Sequence, residues 1–323
     1  ISAHRFVCGS MDTTTGARLP LRDAPRTGES INGYIARMAQ RNHLERADWV
    51  AKTAGIKFPQ VSYSDDEIDR LAITTGQDFQ TLRPIAPTPG VKTAIGRVSS
   101  LLGHDIPSDS LVRVGRRVCP ICLIESAEHQ IAWALRFARF CTKHGCRLIN
   151  ACPSCGKDLD WRTRAPDVCH CGHDLHFQPL KSRTSRAEPE EIAGPKYLAD
   201  MLLGSPQDEL PMLAGLRFAE IFFAARKLGA FGASRDDFFW LDDTMNEQVG
   251  IWLTRALKLM ALDHDRFVRK IISLSPKRYS KPIKKHLSIL AEVRTKLTEV
   301  GAAEAPLVIA LGEIVDQYPE VLA

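Results

Sequence analysis

Cysteine is concentrated in one short part of this sequence, and this uneven distribution limits the possible folds more than any other feature. Eight of the nine cysteines lie between Cys119 and Cys171, and the remaining one is Cys8. The first residues contain no apolar region of the kind that a secretory signal has, so we expect the thiols to stay reduced. Clustered cysteines that stay reduced predict a metal site rather than disulfide bonds.

The clustered cysteines, together with one histidine, form four pairs at the spacing that zinc ligands have in many proteins. The pairs, in sequence order, are Cys119 and Cys122, Cys141 and His144, Cys152 and Cys155, and Cys169 and Cys171. Two such pairs hold one tetrahedral Zn²⁺, so the eight side chains predict two structural zinc sites per chain. Protein would fill every position around each ion, which leaves none for a catalytic water.

The grouping of these pairs is open at this point. Sequential pairing joins the first pair to the second, whereas a cross-braced arrangement joins the first pair to the third. His170 or His173 could also replace one sulfur of the second site. We favour sequential pairing because Ile131–Phe140 predicts a helix that would pack on its own zinc. Cys8 and Cys146 are then ordinary free thiols.

Residues 119–171 are called the cysteine segment below. Periodic apolar residues on both sides of it predict a mainly α-helical fold. We expect a disordered N-terminus, an N-terminal helix-turn-helix-like domain with a connecting segment, a tandem zinc-binding module, a linker and a C-terminal all-helical domain. Their predicted boundaries are 1–18, 19–112, 113–180, 181–195 and 196–323.

Local signals place several helices within these domains. Ser30 is a candidate N-cap, and Ser64 with Glu67 forms a capping-box pattern. The connecting segment is rich in Pro and Gly, and it predicts one short helix near Lys92–Leu102. Strong apolar periodicity over Leu210–Leu228 predicts the first helix of the C-terminal bundle.

Positive charge accompanies the cysteines. Residues 113–186 carry 13 basic and six acidic side chains, whereas the net charge of the whole chain is only +5. This excess favours contact with phosphates. The candidates near the first cysteines are Arg113, Arg116, Arg117, Arg136, Arg139, Lys143 and Arg147. A second patch, for which a solvated helix face is the alternative, contains Lys277, Arg278, Lys281, Lys284 and Lys285.

Catalytic motifs are missing from the sequence. It contains no P-loop, no H-x-E ahead of P-C-x-x-C as in zinc deaminases, and no H-E-x-x-H. We therefore expect a protein that is not an enzyme. No apolar run approaches the length of a membrane span, so we also expect a cytoplasmic protein without a membrane partner.

Two segments resemble the TniQ/TnsD family of transposition target-selection proteins. The first is Leu19–Asn42, in which Glu29, Ser30, Gly33, Tyr34 and Arg37 fit the family pattern. The second is Cys119–Leu159, in which the matching positions are Cys119, Pro120, Cys122, Trp133, Cys141, His144, Gly145, Leu148, Cys152, Pro153 and Cys155. Thr142 departs from this pattern, since Pro is usual there. The C-terminal helices carry no part of the resemblance.

The resemblance implies a protein that binds DNA, selects a transposition target and recruits an AAA+ ATPase and, indirectly, the transposase. Some relatives read DNA directly, and others are dimers that ride on an RNA-guided CRISPR complex. In a bacterium such a protein would associate with the nucleoid when bound to DNA. The alternatives are a zinc-containing transcription regulator and a nucleic-acid enzyme with structural zinc.

Overall fold

A computed structural model describes residues 17–113, 115–176, 187–205, 208–229, 249–274 and 281–318. Regular structure in these parts is mainly helical, as the sequence predicts, and is accompanied by one small sheet. The N-terminus that was expected to be disordered lies almost entirely outside the described residues, as does Cys8. No helix in the described ranges is both long enough and apolar enough to cross a membrane.

The N-terminal helices begin where the sequence predicts. The Ser30 hydroxyl accepts a hydrogen bond from the amide of Gly33 at 3.1 Å, which caps the first helix. Ser64 and Glu67 form a complete capping box at the third. The helices are α1 (Ile31–Arg41), α2 (Asp48–Thr53), α3 (Asp65–Thr75) and α4 (Phe79–Leu82). Whether two of them act as a helix-turn-helix stays a prediction.

An antiparallel three-stranded sheet replaces the helix predicted near Lys92–Leu102, so that prediction is wrong. Gly96 and Gly103 have φ angles of +116° and +79°, which allow the tight turns between strands. Burial of Leu101 and Ile106 in the core stabilises the hairpin. The strands, which pair in chain order, are β1 (Val91–Thr93), β2 (Gly96–Leu101) and β3 (His104–Pro107).

The described residues of the C-terminal part are mainly helical, as the sequence predicts. Their first strongly apolar helix begins later than predicted, since residues 211–213 form a 3₁₀ turn that starts at a proline. The cysteine segment contributes one short helix, α5 (Pro120–Glu125). The C-terminal helices are α6 (Pro189–Leu202), α7 (Phe218–Leu228), α8 (Val249–Met260), α9 (His264–Leu274), α10 (Lys281–Glu299) and α11 (Pro306–Asp316).

Helix α6 begins within the predicted linker 181–195, since residues 189–195 belong to it, and the linker boundaries stay a prediction. The reason is a close crossing with α8 that the sequence does not reveal. The amide of Gly194 donates a hydrogen bond to Thr254 Oγ1 at 2.7 Å. A Cβ atom on Gly194 would lie 2.4 Å from the backbone nitrogen of Thr254, so only glycine allows this approach. Residues 181–186 lie outside the described ranges.

One large buried cluster joins the two ends of the chain. It extends from Leu19 to Val315 and combines residues of the N-terminal and C-terminal helices. Phe137, from the cysteine segment, reaches into it, where its ring centroid lies 5.2 Å from that of Phe222 on α7. The N-terminal helices, the sheet and the C-terminal bundle therefore share a core against which the cysteine segment is held.

Candidate metal centres and arginine groove

The first cysteine cluster has the geometry of a four-ligand metal site. The Sγ atoms of Cys122 and Cys141 are 3.6 Å apart. His144 directs Nδ1 at the sulfurs of Cys119, Cys122 and Cys141, at 3.5, 3.2 and 3.7 Å. Tetrahedral Zn²⁺, with Zn–S near 2.3 Å and Zn–N near 2.1 Å, separates its ligand atoms by about 3.5–3.8 Å. These four residues therefore fit a zinc ion.

Two local turns build this cluster. Cys119 caps α5, so one helical turn brings Cys122 beside it, and the amide of Cys122 lies 3.4 Å from Cys119 Sγ. The other turn runs from Cys141 to Gly145, whose amide donates to the Cys141 carbonyl at 2.7 Å. Gly145 has a φ angle of +64°, which favours glycine.

Glu125 orients the histidine of the first cluster. Its Oε1 lies 3.1 Å from His144 Nε2, which leaves Nδ1 facing the sulfurs. Metal-bound histidines commonly have such a carboxylate partner. The ammonium of Lys143 lies 2.6 Å from Glu125 Oε2 and lowers the pKa of that carboxyl group. Lys143, a predicted phosphate contact, is thus an exposed ion-pair partner beside the metal cluster. Sequence reasoning gave Glu125 no role here.

Cys146, predicted to be an ordinary free thiol, lies directly beside the first cluster. Its Sγ is 3.3 Å from Cys119 Sγ, and its side chain is buried. Hydrogen bonds from the thiols of Cys122, Cys141 and Cys146 hold the pKa of Cys119 well below its usual range. Cys119 is therefore favoured as a thiolate, the form that binds metal.

The second cluster brings together Cys152, Cys155, Cys169 and Cys171. The sulfurs of Cys152 and Cys171 are 3.8 Å apart, and so are those of Cys155 and Cys169, as a tetrahedral ion requires. Burial alone would raise the pKa of Cys152, but backbone N–H groups of Cys155 and Ser154 lower it to about 7.

The two clusters follow the sequential grouping of the pairs rather than the cross-braced one. His170 and His173 are not among the four residues of the second cluster, although His170 Nδ1 lies 3.6 Å from Cys169 Sγ. Both groups could hold a metal ion, and their donor atoms suit zinc.

The helix predicted for residues 131–140 is absent, so the reason first given for sequential pairing is wrong. Only a 3₁₀ turn forms, at Ile131–Ala134. Some backbone groups of this segment pair with distant parts of the chain, as where the Ile131 amide donates to the Gly28 carbonyl at 2.7 Å. Trp133 nevertheless packs in the same small buried cluster as the cysteines.

The N-terminal motif forms the contact between α1 and the cysteine segment. The Glu29 carboxylate, which is fully buried, receives two hydrogen bonds from the Arg37 guanidinium at 2.8 and 2.7 Å. Ser30 Oγ lies 2.8 Å from His129 Nδ1. Gly33 allows the close approach, since a Cβ atom there would lie 2.7 Å from the Cβ of His129.

His129, which sequence reasoning missed, is the centre of this contact. Its ring lies edge-on to those of Trp133 and Trp161, with centroids 5.3 and 4.8 Å away. Burial lowers the pKa of His129 to about 3, and the positive charges of Arg116 and Arg117 contribute. The imidazole is therefore neutral near pH 7.

A concave surface beside the metal clusters contains six of the seven phosphate contacts predicted near the first cysteines. Its volume is about 460 Å³, and Asp158 is the one acidic residue among those that line it. We call it the arginine groove, after the six arginines in its lining: Arg113, Arg116, Arg117, Arg136, Arg139 and Arg147.

Comparison with known families identifies the N-terminal motif and the first cluster as parts of one domain. Residues 20–148 match the model of the TniQ family. The chain carries a TniQ domain. A TniQ domain indicates an accessory protein associated with transposition. A comparison with curated proteins gave no match.

The TniQ match begins ahead of α1 and ends just after His144, so it includes the buried Glu29–Arg37 pair and the whole first cluster. The second cluster lies beyond it. The sequence resemblance is thereby confirmed for the TniQ domain.

Two arginines of the groove are engaged by protein acceptors, which leaves them poorly placed for the phosphate contact predicted for them. Arg116 is 2% exposed, and its guanidinium donates to Thr163 Oγ1 at 3.0 Å and to the Val168 carbonyl at 2.6 Å. Arg117 donates to three backbone carbonyls, including that of Trp133 at 3.3 Å. Their charges face protein acceptors rather than solvent.

The second predicted basic patch is separate from the TniQ domain. Lys277 and Arg278 lie outside the described residues. Lys281, Lys284 and Lys285 belong to the start of α10, and their side chains lie outside the description. Phosphate contact by this patch stays a prediction.

Proposed function

We propose that this protein is a non-catalytic accessory factor of DNA transposition that marks a target site and recruits an AAA+ ATPase. The ATPase would in turn bring the transposase. The TniQ domain is the observation that carries this proposal. Its motif residues Glu29, Ser30 and Arg37 form one buried contact with the cysteine segment, which supports a domain with its parts in fixed relation.

Two structural zinc ions per chain would stabilise this arrangement. Each cluster supplies four protein ligand atoms, a set that leaves no coordination position for water or substrate. Zinc would therefore contribute folding free energy and not catalysis. The cysteine segment then serves as a rigid spacer between α1 and the C-terminal helices.

DNA and the transposition machinery are the proposed partners. The positive charge of residues 113–186 would favour DNA and make its binding dependent on salt. Relatives either read the target DNA directly or act as dimers on an RNA-guided complex. Both routes need the same step of ATPase recruitment.

The test is co-retention of the full chain with the AAA+ ATPase of its own transposon on immobilised DNA, with ATP present. We expect the ATPase to be retained only when both DNA and this protein are present. A matched sample without DNA measures direct contact between the two proteins.

Two results would overturn the proposal. Specific binding to its own promoter without ATPase retention would indicate a transcription regulator. Retention of neither DNA nor ATPase at low salt would remove the adaptor function altogether.

A further inference from the structure

The arginines of the groove differ in solvent exposure from its floor to its rim, unlike those of a flat basic surface. Arg116 is buried, Arg117, Arg136 and Arg139 are half-buried, and Arg113 and Arg147 are exposed. The volume of about 460 Å³ is within the range of about 300–1,000 Å³ that small-molecule sites have. The groove can therefore enclose a compact anion.

The chemistry of the lining favours phosphate. Every cation among the described lining residues is arginine, whose planar guanidinium binds phosphate oxygens through two parallel hydrogen bonds. No aromatic side chain is among these lining residues, so the groove offers no ring on which a base could stack. The groove would therefore bind the phosphates of a ligand and not its bases.

The guanidinium groups of the groove lie close enough to repel one another. Burial lowers the pKa of Arg117 to about 10, and repulsion from Arg139 and Arg136 contributes. The Nε atoms of Arg116 and Arg117 are buried, and neither has a hydrogen-bond partner among the described residues. An anion in the groove would relieve this repulsion.

We propose that the arginine groove is a phosphate-binding site that takes two or three adjacent phosphate groups without reading bases. Arg116 and Arg117 form its interior and fix its shape, since protein acceptors already take their terminal N–H groups. The exposed Arg113 and Arg147 contact the phosphates. The phosphates belong to a nucleic-acid backbone or to a free polyphosphate such as a nucleoside triphosphate.

This inference deepens the proposed function and rests on it for the nucleic-acid source of the phosphates. In transposition, such a groove would hold the protein on DNA of any sequence, while other parts select the target. ATPase retention measures the proposed function, whereas phosphate binding by the protein alone measures the groove, so the two can fail separately.

The experiment compares two double variants of the full chain by fluorescence anisotropy. One variant, Arg113→Gln with Arg147→Gln, removes the exposed arginines of the groove. The control, Arg162→Gln with Arg164→Gln, removes the same charge from exposed positions of the cysteine segment outside the groove. The probes are two 20-base-pair duplexes of unrelated sequence and tripolyphosphate as competitor. Metal content shows that each variant keeps its clusters.

For the wild type we expect equal affinity for both duplexes and competition by tripolyphosphate. The groove variant should bind about tenfold or more weakly. Its plot of log affinity against log salt should be shallower by about 1.8, which corresponds to two lost phosphate contacts. The control should keep the wild-type competition by tripolyphosphate.

Three results would overturn the inference. Equal losses in the groove variant and the control would show that only general charge matters. Stronger competition by a glutamate-rich peptide than by tripolyphosphate would indicate a carboxylate ligand. A clear preference for one duplex that the groove variant abolishes would show base reading.

One further result would identify the source of the phosphates. If the groove variant loses tripolyphosphate binding but keeps duplex binding, the ligand is a free polyphosphate.

Discussion

At the scale of single residues, His129 shows how the contact between α1 and the cysteine segment depends on a neutral side chain. Its Nδ1 lies 2.8 Å from Ser30 Oγ, and its ring is enclosed by two tryptophans. Burial, together with the charges of Arg116 and Arg117, lowers its pKa to about 3. An unfolded histidine has a pKa near 6.5.

This difference makes the protein less stable in mild acid. Between about pH 6.5 and pH 3 the unfolded chain binds a proton at His129 that the folded chain does not, so stability falls as the pH falls through this window. From pH 7 to pH 5 we expect His129 to account for a loss of about 2 kcal/mol. Urea unfolding of the wild type and of His129→Gln at both pH values measures this difference.

The wild type must be compared with His129→Gln because the metal ligands also bind protons in acid. If His129→Gln loses as much stability as the wild type between pH 7 and pH 5, the expectation is wrong. Should this variant not fold, NMR of the wild-type imidazole provides the second measurement. A ring that titrates above pH 5 would contradict the low pKa.

At the scale of elements, α1 is positioned by a glycine in its first turn, Gly33. Glycine in an exposed helix interior costs about 1 kcal/mol relative to alanine, so replacement with alanine is stabilising at most such sites. At Gly33 the added Cβ atom would lie 2.7 Å from the Cβ of His129 and 3.1 Å from its carbonyl oxygen. The close packing of α1 on the cysteine segment therefore opposes the helix propensity.

We expect Gly33→Ala to lower the free energy of unfolding by about 1–3 kcal/mol, because the helix must move away from His129. The matched control is Gly312→Ala on α11, where the added methyl would meet the movable guanidinium of Arg294 at 3.3 Å. Its effect should remain within about 1 kcal/mol. Urea unfolding measures both, and a Gly33→Ala protein as stable as the wild type would refute this packing argument.

At the scale of the whole molecule, the cysteine segment has a core of its own that is small. Its buried cluster contains six of its eight cysteines and only a few apolar side chains, among them Trp133 and Leu148. The large cluster of the helices does not include the cysteines. Metal ions would supply the stability that so small an apolar core cannot.

Metal removal should therefore unfold one part of the molecule before the other. We expect about two zinc ions per chain in the purified protein. Treatment with a chelator should abolish amide-exchange protection around Cys119–Cys171 while α7 and α8 keep theirs. Hydrogen exchange with mass spectrometry measures this directly, and simultaneous loss of protection in all these parts would contradict it.

Two cysteine variants sharpen the metal count. Cys122→Ser should lower it to about one ion per chain, because it removes a ligand atom of the first cluster. Cys146→Ser is the matched control, since Cys146 is buried beside that cluster but is not one of its four members. Loss of an ion from Cys146→Ser as well would make this cysteine a ligand.

The sequence by itself determined the features that depend on neighbours within a few residues. The caps at Ser30 and Ser64 are contacts across three positions, and the C-x-x-C spacing brings two sulfurs together within one turn. The sequential grouping of the cysteines was also predicted correctly, although the helix first invoked for it does not form.

Only the tertiary structure decided how distant parts of the chain meet. The Ser30–His129 contact joins residues 99 positions apart, and the hairpin of β2 and β3 replaces a predicted helix because the core accepts Leu101 and Ile106. Arg116 looked like a surface charge in the sequence but is buried against Trp161. The physical reason is that local geometry fixes hydrogen bonds along the chain, whereas burial depends on which remote surfaces pack against each other.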